Sequence, residues 1–122
     1  MNDQIPLNFV SDRKRAALAH VARLPLWFRK DFAEYLEGNW HVYLAFEREA
    51  NRIRRSGRDH YSQRTIWEYL RHETALREKD NELDLKLNDH YVKDCARLYV
   101  VLHPEAATFF EFRNGQSAVR AA

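Results

Sequence analysis

Apolar residues recur at intervals of three and four along most of the chain, which is the pattern of amphipathic helices. The clearest example is a stripe of four apolar side chains between residues 40 and 56, formed by Tyr43, Phe46, Ala50 and Ile53. Comparable patterns occur in four more segments. Together they predict five helices, over about residues 11–24, 25–38, 40–56, 62–78 and 89–102.

Residues that favour helix ends lie at the predicted boundaries. Ser11 and Ser62 are suitable N-caps, and Pro25 fits the first turn of a helix because its missing N–H costs little there. Gly38 and Gly57 follow the last apolar positions of their helices, where glycine commonly ends a helix. The last helix is capped by Asn88 or Asp89 and ends at His103-Pro104.

Two segments in the last third of the chain predict strands. Leu83, Leu85 and Leu87 alternate with polar residues, which is the two-residue period of a half-buried strand. Residues Thr108–Arg113 are aromatic and β-prone, which predicts a second strand. Asn114-Gly115 is a turn signal that could return a short third strand.

We therefore expect one α+β domain, mainly α, with about five helices and a small sheet of two or three strands. Its expected parts are an extended arm (1–10), a helical pair (11–38), a helix–helix–strand–helix–strand core (39–113) and a tail (114–122). An alternative treats the helical pair as a separate appendage that docks on the rest. No linker-like stretch separates the two parts, which favours a single domain over residues 1–122.

Composition bounds the class of protein. The chain has 122 residues and a mass of 14.6 kDa, enough for one compact domain. It is 45% hydrophobic, and no apolar run approaches the ~18 residues of a membrane span. A single cysteine excludes an internal disulfide, and the N-terminus does not resemble a signal peptide. We therefore expect a cytoplasmic protein that makes no membrane contact.

The charges are unevenly distributed although their sum is small. The formal net charge is +2, from 20 basic and 18 acidic residues. Six arginines lie between residues 48 and 64, against only Glu49 and Asp59. Guanidinium groups bind phosphates with two parallel hydrogen bonds, so a nucleic-acid-binding surface is one explanation of this cluster. The other is a solvated helix face with ordinary intrahelical ion pairs such as Glu49–Arg52.

The order of the predicted elements indicates where such a surface would lie. Two helices joined by a short connection that contains Gly57, with strands later in the domain, resemble a helix-turn-helix with a wing. In that arrangement the helix that begins at Ser62 would contact bases, and the arginines before it would contact phosphates. The predicted nucleic-acid-binding residues are Arg54, Arg55, Arg58, Ser62, Gln63 and Arg64.

No spacing typical of a catalytic or metal site is found. The six histidines never fall four residues apart, as paired metal ligands on one helix face would. His72-Glu73 begins like the zinc-peptidase motif, but position 76 is Leu. Cys95 lies on the apolar stripe of the last helix, which suits a buried small hydrophobe better than a nucleophile. We therefore expect no enzymatic activity, no metal and no cofactor.

Several short stretches resemble one group of proteins. The stretches are Tyr61–Ile66, Leu85–Tyr91, Ala96–Leu98, His103-Pro104 and Phe109–Arg113. Over about residues 40–113 the chain is similar to short uncharacterised proteins of phages, prophages and bacterial genomes. Those proteins more often have an aromatic-Lys-Ile-Asn-Asn-Asn-Tyr run at the second stretch. The resemblance implies an origin in a mobile element, where small proteins are often regulators or inhibitors of host machinery, and it carries over no activity or site residue.

Two functions are compatible with these observations. The first is a small non-enzymatic protein of phage or mobile-element origin that binds nucleic acid, DNA above all, through its Arg-rich helix-turn-helix-like surface. The alternative is a phage-encoded inhibitor or adaptor of the anti-CRISPR or anti-restriction type that binds a host protein with an acidic surface. Its predicted interface residues are Trp67, Glu78, Asp80, Glu82 and Asp84.

Two of the predicted helices indicate contacts with other protein chains. Trp67 lies off the stripe formed by Ile66, Tyr69 and Leu70, so we expect it to be an exposed anchor. The helix over residues 25–38 is rich in aromatic residues and predicts more apolar surface than a monomer of this size covers. A homodimer is therefore a further expectation.

Overall fold

The computed structural model describes residues 7–77 and 87–112 of the chain. Its α-helices are α1 (Leu7–Arg23), α2 (Phe32–Gly38), α3 (Trp40–Arg55), α4 (Gln63–Arg77) and α5 (Val92–Leu102). Two short 3₁₀ turns, Asp89–Tyr91 and Pro104–Ala106, precede and follow α5. Within the described ranges, no helix has both the length and the apolar character needed to cross a bilayer.

Helix α5 is the centre of the fold. It packs against α1, α3 and α4, and it is the most apolar of the longer helices. Cys95, Leu98 and Tyr99 have no exposed surface, since helices surround them on several sides. The stripe predicted for α3 is confirmed: Tyr43, Phe46, Ala50 and Ile53 are all buried against this centre.

Some of the predicted signals at the helix ends act as expected, but Ser11 lies within α1 and Pro25 lies in a turn, so neither begins a helix. The Ser62 hydroxyl accepts a hydrogen bond from the N–H of Thr65 at 3.1 Å, which caps the start of α4. The Asn88 side chain accepts one from the N–H of His90 at 3.0 Å, at the start of the turn that leads into α5. Gly57 ends α3 with a φ of 100°, the left-handed conformation that favours glycine.

The expected α+β fold, and with it the winged-helix arrangement, is wrong: the described residues contain helices and no strand. Residues 108–112 form turns and irregular backbone instead of a strand. Phe109 and Phe110 are both buried although they are neighbours, whereas a strand would place them on opposite faces. Most of the strand predicted over residues 83–87, and the third strand after residue 113, lie outside the described residues.

The first two predicted helices have different bounds in the structure. Helix α1 begins at Leu7, so residues 7–10 are helical rather than part of an extended arm. Residues 24–31 form turns, and α2 covers only the second half of the predicted helix. Arg97 of α5 holds this turn segment in place: its guanidinium donates to the carbonyl of Trp27 at 2.8 Å and lies 4.7 Å from the indole ring.

The aromatic side chains around α2 face the interior of the chain. Trp27, Phe28, Phe32 and Leu36 are all buried. Phe28 stacks on Phe32 with ring centroids 5.6 Å apart. These aromatic side chains, on which the expectation of a homodimer depends, are therefore covered by the chain itself, whereas Leu26 of the same segment is fully exposed.

Candidate nucleic-acid interface

Two grooves border the connection between α3 and α4. The first, with a volume of about 710 Å³, is called the basic groove here because Arg54, Arg55, Arg58, His60 and His103 line it. The second, with a volume of about 980 Å³, is called the aromatic groove because Tyr61, Phe109, Phe110 and Phe112 line it. Both grooves include His60, Thr108 and Phe109, so they adjoin one another.

The structure brings together the six residues predicted to bind nucleic acid. Arg54, Arg55 and Arg58 line the basic groove, and Ser62, Gln63 and Arg64 line the aromatic groove. Because the two grooves adjoin at His60, these side chains lie along one continuous surface. Arg52, by contrast, pairs with Glu49 within α3, as the solvated-face interpretation expects of such a residue.

The six side chains differ in how much of their bonding capacity the fold uses. Within the described part of the chain, Arg55 and Arg58 make no ion pair, and the Arg58 guanidinium lies 5.8 Å from the centroid of the Tyr61 ring. The Arg54 guanidinium donates to the Tyr99 hydroxyl at 3.0 Å and to Glu105 at 3.3 Å. Arg55 and Arg58 are therefore the cations most available to an anionic ligand.

The three residues at the start of α4 have structural partners. Ser62 caps the helix, and the Gln63 amide donates to the carbonyl of Glu111 at 3.4 Å. Arg64 lies 3.6 Å from Glu68 on the same exposed helix face. An exposed pair of this kind contributes little stability, so Arg64 can exchange its partner for a phosphate at small cost.

His60 is oriented by the backbone of the segment that follows α5. Its Nδ1 lies 3.0 Å from the carbonyl oxygen of Thr108. A carbonyl can only accept, so Nδ1 carries the proton and Nε2 is the acceptor nitrogen of the neutral ring. The N–H of Tyr61 donates to the carbonyl of Phe109 at 3.0 Å, which fixes the same connection a second time.

His103 is oriented by a buried carboxylate. Its Nε2 lies 2.9 Å from Glu47, and its Nδ1 lies 3.6 Å from Glu105. The ring stacks on that of Tyr99 with centroids 4.3 Å apart. His103 thus has one nitrogen fixed by the interior of the protein and a carboxylate near the other.

Glu47 is the charged residue on which this arrangement depends. It is only 6% exposed, and it accepts two hydrogen bonds from Arg13 at 3.2 and 2.8 Å and one from the Tyr43 hydroxyl at 3.4 Å. Burial on its own would raise the pKa of Glu47, but the hydrogen bonds and charges of His103 and Arg13 outweigh it and lower the pKa to about 2. Glu47 is therefore ionised across the physiological range.

Comparison of the chain with protein-family models, curated proteins and solved structures found no match.

Sequence reasoning missed the two histidines of the basic groove. A search for paired histidines four residues apart finds metal ligands on one helix, but His60 and His103 come from different segments and meet only in the fold. The nearest sequence signal for His60 is its place directly after the arginine cluster. Glu47 gives a second signal, since a carboxylate on a buried stripe needs partners.

The residues of the alternative interface do not form an exposed surface in the described part of the chain. Trp67 is fully buried and packs against Phe46 of α3 at 6.2 Å, so its prediction as an exposed anchor is wrong. The buried face of α4 includes Ile66 and Trp67, whereas Tyr69 is 42% exposed. The acidic residues of that interface, Glu78, Asp80, Glu82 and Asp84, lie outside the described residues.

Metal binding and a nucleophilic thiol are two other candidate chemistries. Among the described residues, no group of three or more His, Cys, Asp or Glu side chains could hold a metal ion. Cys95 is fully buried, and its burial raises the pKa of the thiol well above the ordinary value. A buried thiol that stays protonated is a poor nucleophile.

Proposed function

We propose that this protein binds nucleic acid through the surface formed by the basic groove and the adjoining start of α4. The observation that supports this proposal is the convergence of Arg54, Arg55 and Arg58 on one groove that continues through His60 into a second groove. The first groove offers cations, and the second offers the half-buried ring of Tyr61, whereas the three Phe side chains behind it belong to the core. Phosphates and bases require these two chemistries side by side.

The balance of charge in the basic groove favours an anion. Its three arginines face two carboxylates, Asp59 and Glu105, and Glu105 is already paired with Arg54. Arg55 and Arg58 have planar guanidinium groups that match a phosphate with two hydrogen bonds each. A polyanion that crosses this groove would gain contacts without breaking a buried interaction.

The aromatic groove favours a single strand over a duplex. Bases of a duplex are stacked on one another, whereas those of a single strand can turn into a groove and stack on side chains. Tyr61 is half-buried and lines that groove next to His60, a residue that both grooves share. Ser62 caps α4, and the Gln63 amide donates to the carbonyl of Glu111. Ser62 and Gln63 are therefore less free to read bases in a duplex.

Fluorescence anisotropy tests the proposal. The protein is titrated against labelled single-stranded DNA, single-stranded RNA and duplex DNA at about 50 and 200 mM salt, the range over which phosphate contacts weaken. We expect tightest binding to single strands and a strong loss of affinity at the higher salt. The variant Arg55→Ala/Arg58→Ala should lower the slope of log K against log salt by about 1.4, since each phosphate contact on a single strand adds about 0.7.

A matched control removes the same charge elsewhere. Arg15 and Arg48 are exposed and line neither groove, so Arg15→Ala/Arg48→Ala should leave the slope close to that of the wild type. Equal losses in the two double variants would mean that net charge, and not this surface, attracts nucleic acid. If no nucleic acid bound at about 50 mM salt, the proposal would be wrong, and a host-protein partner would be the next hypothesis.

A further inference from the structure

The basic groove contains two histidines, and each has one ring nitrogen held by a different partner. His60 donates from Nδ1 to the carbonyl of Thr108, so its Nε2 is a proton acceptor, and it has no partner among the described residues. His103 donates from Nε2 to the buried carboxylate of Glu47 and lies 3.6 Å from Glu105 through Nδ1. When this ring carries two protons, the second is on Nδ1, which faces Glu105 at the edge of the groove.

A proton acceptor, a proton donor and cations in one groove are the groups needed to cleave a phosphodiester by acid–base catalysis. Arg55 and Arg58 line the same groove and make no ion pair within the described residues. Their guanidinium groups would hold the phosphate and stabilise the negative charge that grows on its oxygens in the transition state.

We infer that the basic groove cleaves single-stranded RNA, with His60 as the general base and His103 as the general acid. This inference rests on the proposed function and names its substrate class. RNA is preferred to DNA because its 2′-hydroxyl is a nucleophile carried by the substrate itself. A single strand is required because the 2′-oxygen must move into line with the bond that breaks, which duplex geometry prevents.

The reaction balances without a further reactant. His60 Nε2 takes the proton of the 2′-hydroxyl as the 2′-oxygen attacks the adjacent phosphorus. The bond between phosphorus and the 5′-oxygen of the next nucleotide breaks, and that oxygen receives the proton of His103 Nδ1. The products are one strand that ends in a 2′,3′-cyclic phosphate and one that begins with a 5′-hydroxyl. A second proton transfer, from His60 to His103 through solvent, restores both rings.

Glu47 is a positioning residue in this scheme. It fixes the ring of His103 through Nε2 and is itself held by Arg13 and Tyr43. His60, the general base, is held less firmly than His103, because it is exposed and its ring is fixed by one backbone carbonyl.

The test uses a labelled single-stranded RNA of mixed sequence and the same strand with 2′-O-methyl groups. The full-length protein is incubated with each strand in EDTA, and binding of the 2′-O-methyl strand is measured in parallel. We expect the RNA to be cut to products that carry 2′,3′-cyclic phosphate and 5′-hydroxyl ends. The methylated strand should bind with similar affinity and remain intact, because its nucleophile is blocked.

Three single variants assign the reaction to the groove. His60→Ala changes an exposed side chain and should lower the cleavage rate by at least about 100-fold, the usual contribution of a general base. His103→Gln keeps a donor close to the position of Nε2, within reach of Glu47, and should cause a comparable loss. His72→Ala is the matched control, because His72 is exposed on α4 and lines neither groove, and it should cleave at the wild-type rate.

The possible outcomes separate this inference from the function on which it rests. If the methylated strand binds but wild-type protein leaves RNA intact, the cleavage inference is wrong and nucleic-acid binding stands. If neither strand binds, both are wrong. Cleavage that persists in His60→Ala, or products with 5′-phosphate ends, would also overturn the assignment. Should His103→Gln fail to fold by circular dichroism, His60→Ala still decides.

Discussion

Glu47 shows how a single buried charge can organise a small helical protein. It lies on α3, and its donors come from α1 through Arg13 and from the end of α5 through His103. Breaking a buried ion pair costs more than the pair contributes, because the remaining charge is left without a partner. The position of α1 against the rest of the fold therefore depends on this carboxylate.

The lowered pKa of Glu47 makes a prediction about acid stability. The pKa of this group falls from 4.5 to about 2 on folding. Its contribution to the free energy of unfolding is therefore complete above the unfolded value and is lost as the pH falls from about 4.5 to about 2, a total of about 3 kcal/mol. Urea unfolding of the wild type between about pH 7 and pH 3 should show about 2 kcal/mol of this loss.

Glu47→Gln is the comparison that isolates this contribution. The variant should be less stable than the wild type near neutral pH, because Arg13 and His103 lose their charged partner. Its free energy of unfolding should also fall less steeply towards pH 3. Parallel curves for the two proteins would show that other carboxylates carry the acid sensitivity.

At the scale of single residues, the sequence could indicate the arginines but not the two histidines of the basic groove. Arg55 and Arg58 are visible because the cluster around them is local in the chain. The orientations of the His60 and His103 rings depend on Thr108 and Glu47, which are distant in sequence. Such dependence on tertiary partners leaves no periodic signal.

At the scale of elements, prediction succeeds where local signals agree. The helices α3, α4 and α5 combine apolar spacing with suitable residues at their ends, and the sequence predicts them nearly to their bounds. The strand expected over residues 108–113 depends on aromatic content alone. Aromatic residues favour strands because they suit a half-buried pleated surface, but Phe109 and Phe110 are buried together in a turn.

The end of α3 makes a prediction about glycine. Gly57 has a φ of 100°, and a Cβ at that position would meet nothing within 4 Å. Gly57→Ala should therefore cost about 1–2 kcal/mol through backbone conformation alone. Thermal and urea unfolding would measure this cost, and Gly57→Asn should lose less because asparagine tolerates the left-handed region better.

Gly38 is the control for this prediction. It is the last residue of α2, has no positive φ, and a Cβ added there would also meet nothing within 4 Å. Gly38→Ala should be neutral or should stabilise the protein by up to about 1 kcal/mol, since alanine restricts the unfolded chain. Equal destabilisation by the two substitutions would contradict the role given to the φ of Gly57.

At the scale of the whole molecule, the segment after α5 closes the core and shapes both grooves. Phe110 packs on Phe46 of α3 at 5.6 Å and on Tyr99 of α5 at 5.7 Å. Phe112 meets Trp27 at 5.4 Å. The same segment supplies the carbonyls that fix His60 and Tyr61, so the stability of the core and the geometry of the candidate site share one piece of chain.

Phe110→Ala tests this coupling. The side chain is 3% exposed, and its removal should lower the free energy of unfolding by about 3–5 kcal/mol. A single cooperative urea transition, shifted to lower concentration, is the expected result. Leu26→Ala is the control, because Leu26 is 100% exposed and its loss should change stability by less than about 0.5 kcal/mol. A shift no larger than that of the control would mean that the segment does not close the core.

The burial of Cys95 has a practical consequence for following the motions of the molecule. It is the only cysteine in the chain, and it lies at the centre of α5 with a thiol that stays protonated. A maleimide can reach it only in molecules whose core has opened, so the rate of labelling reports how often that happens. The dependence of that rate on urea would separate small local openings from complete unfolding, with no cysteine introduced into the protein.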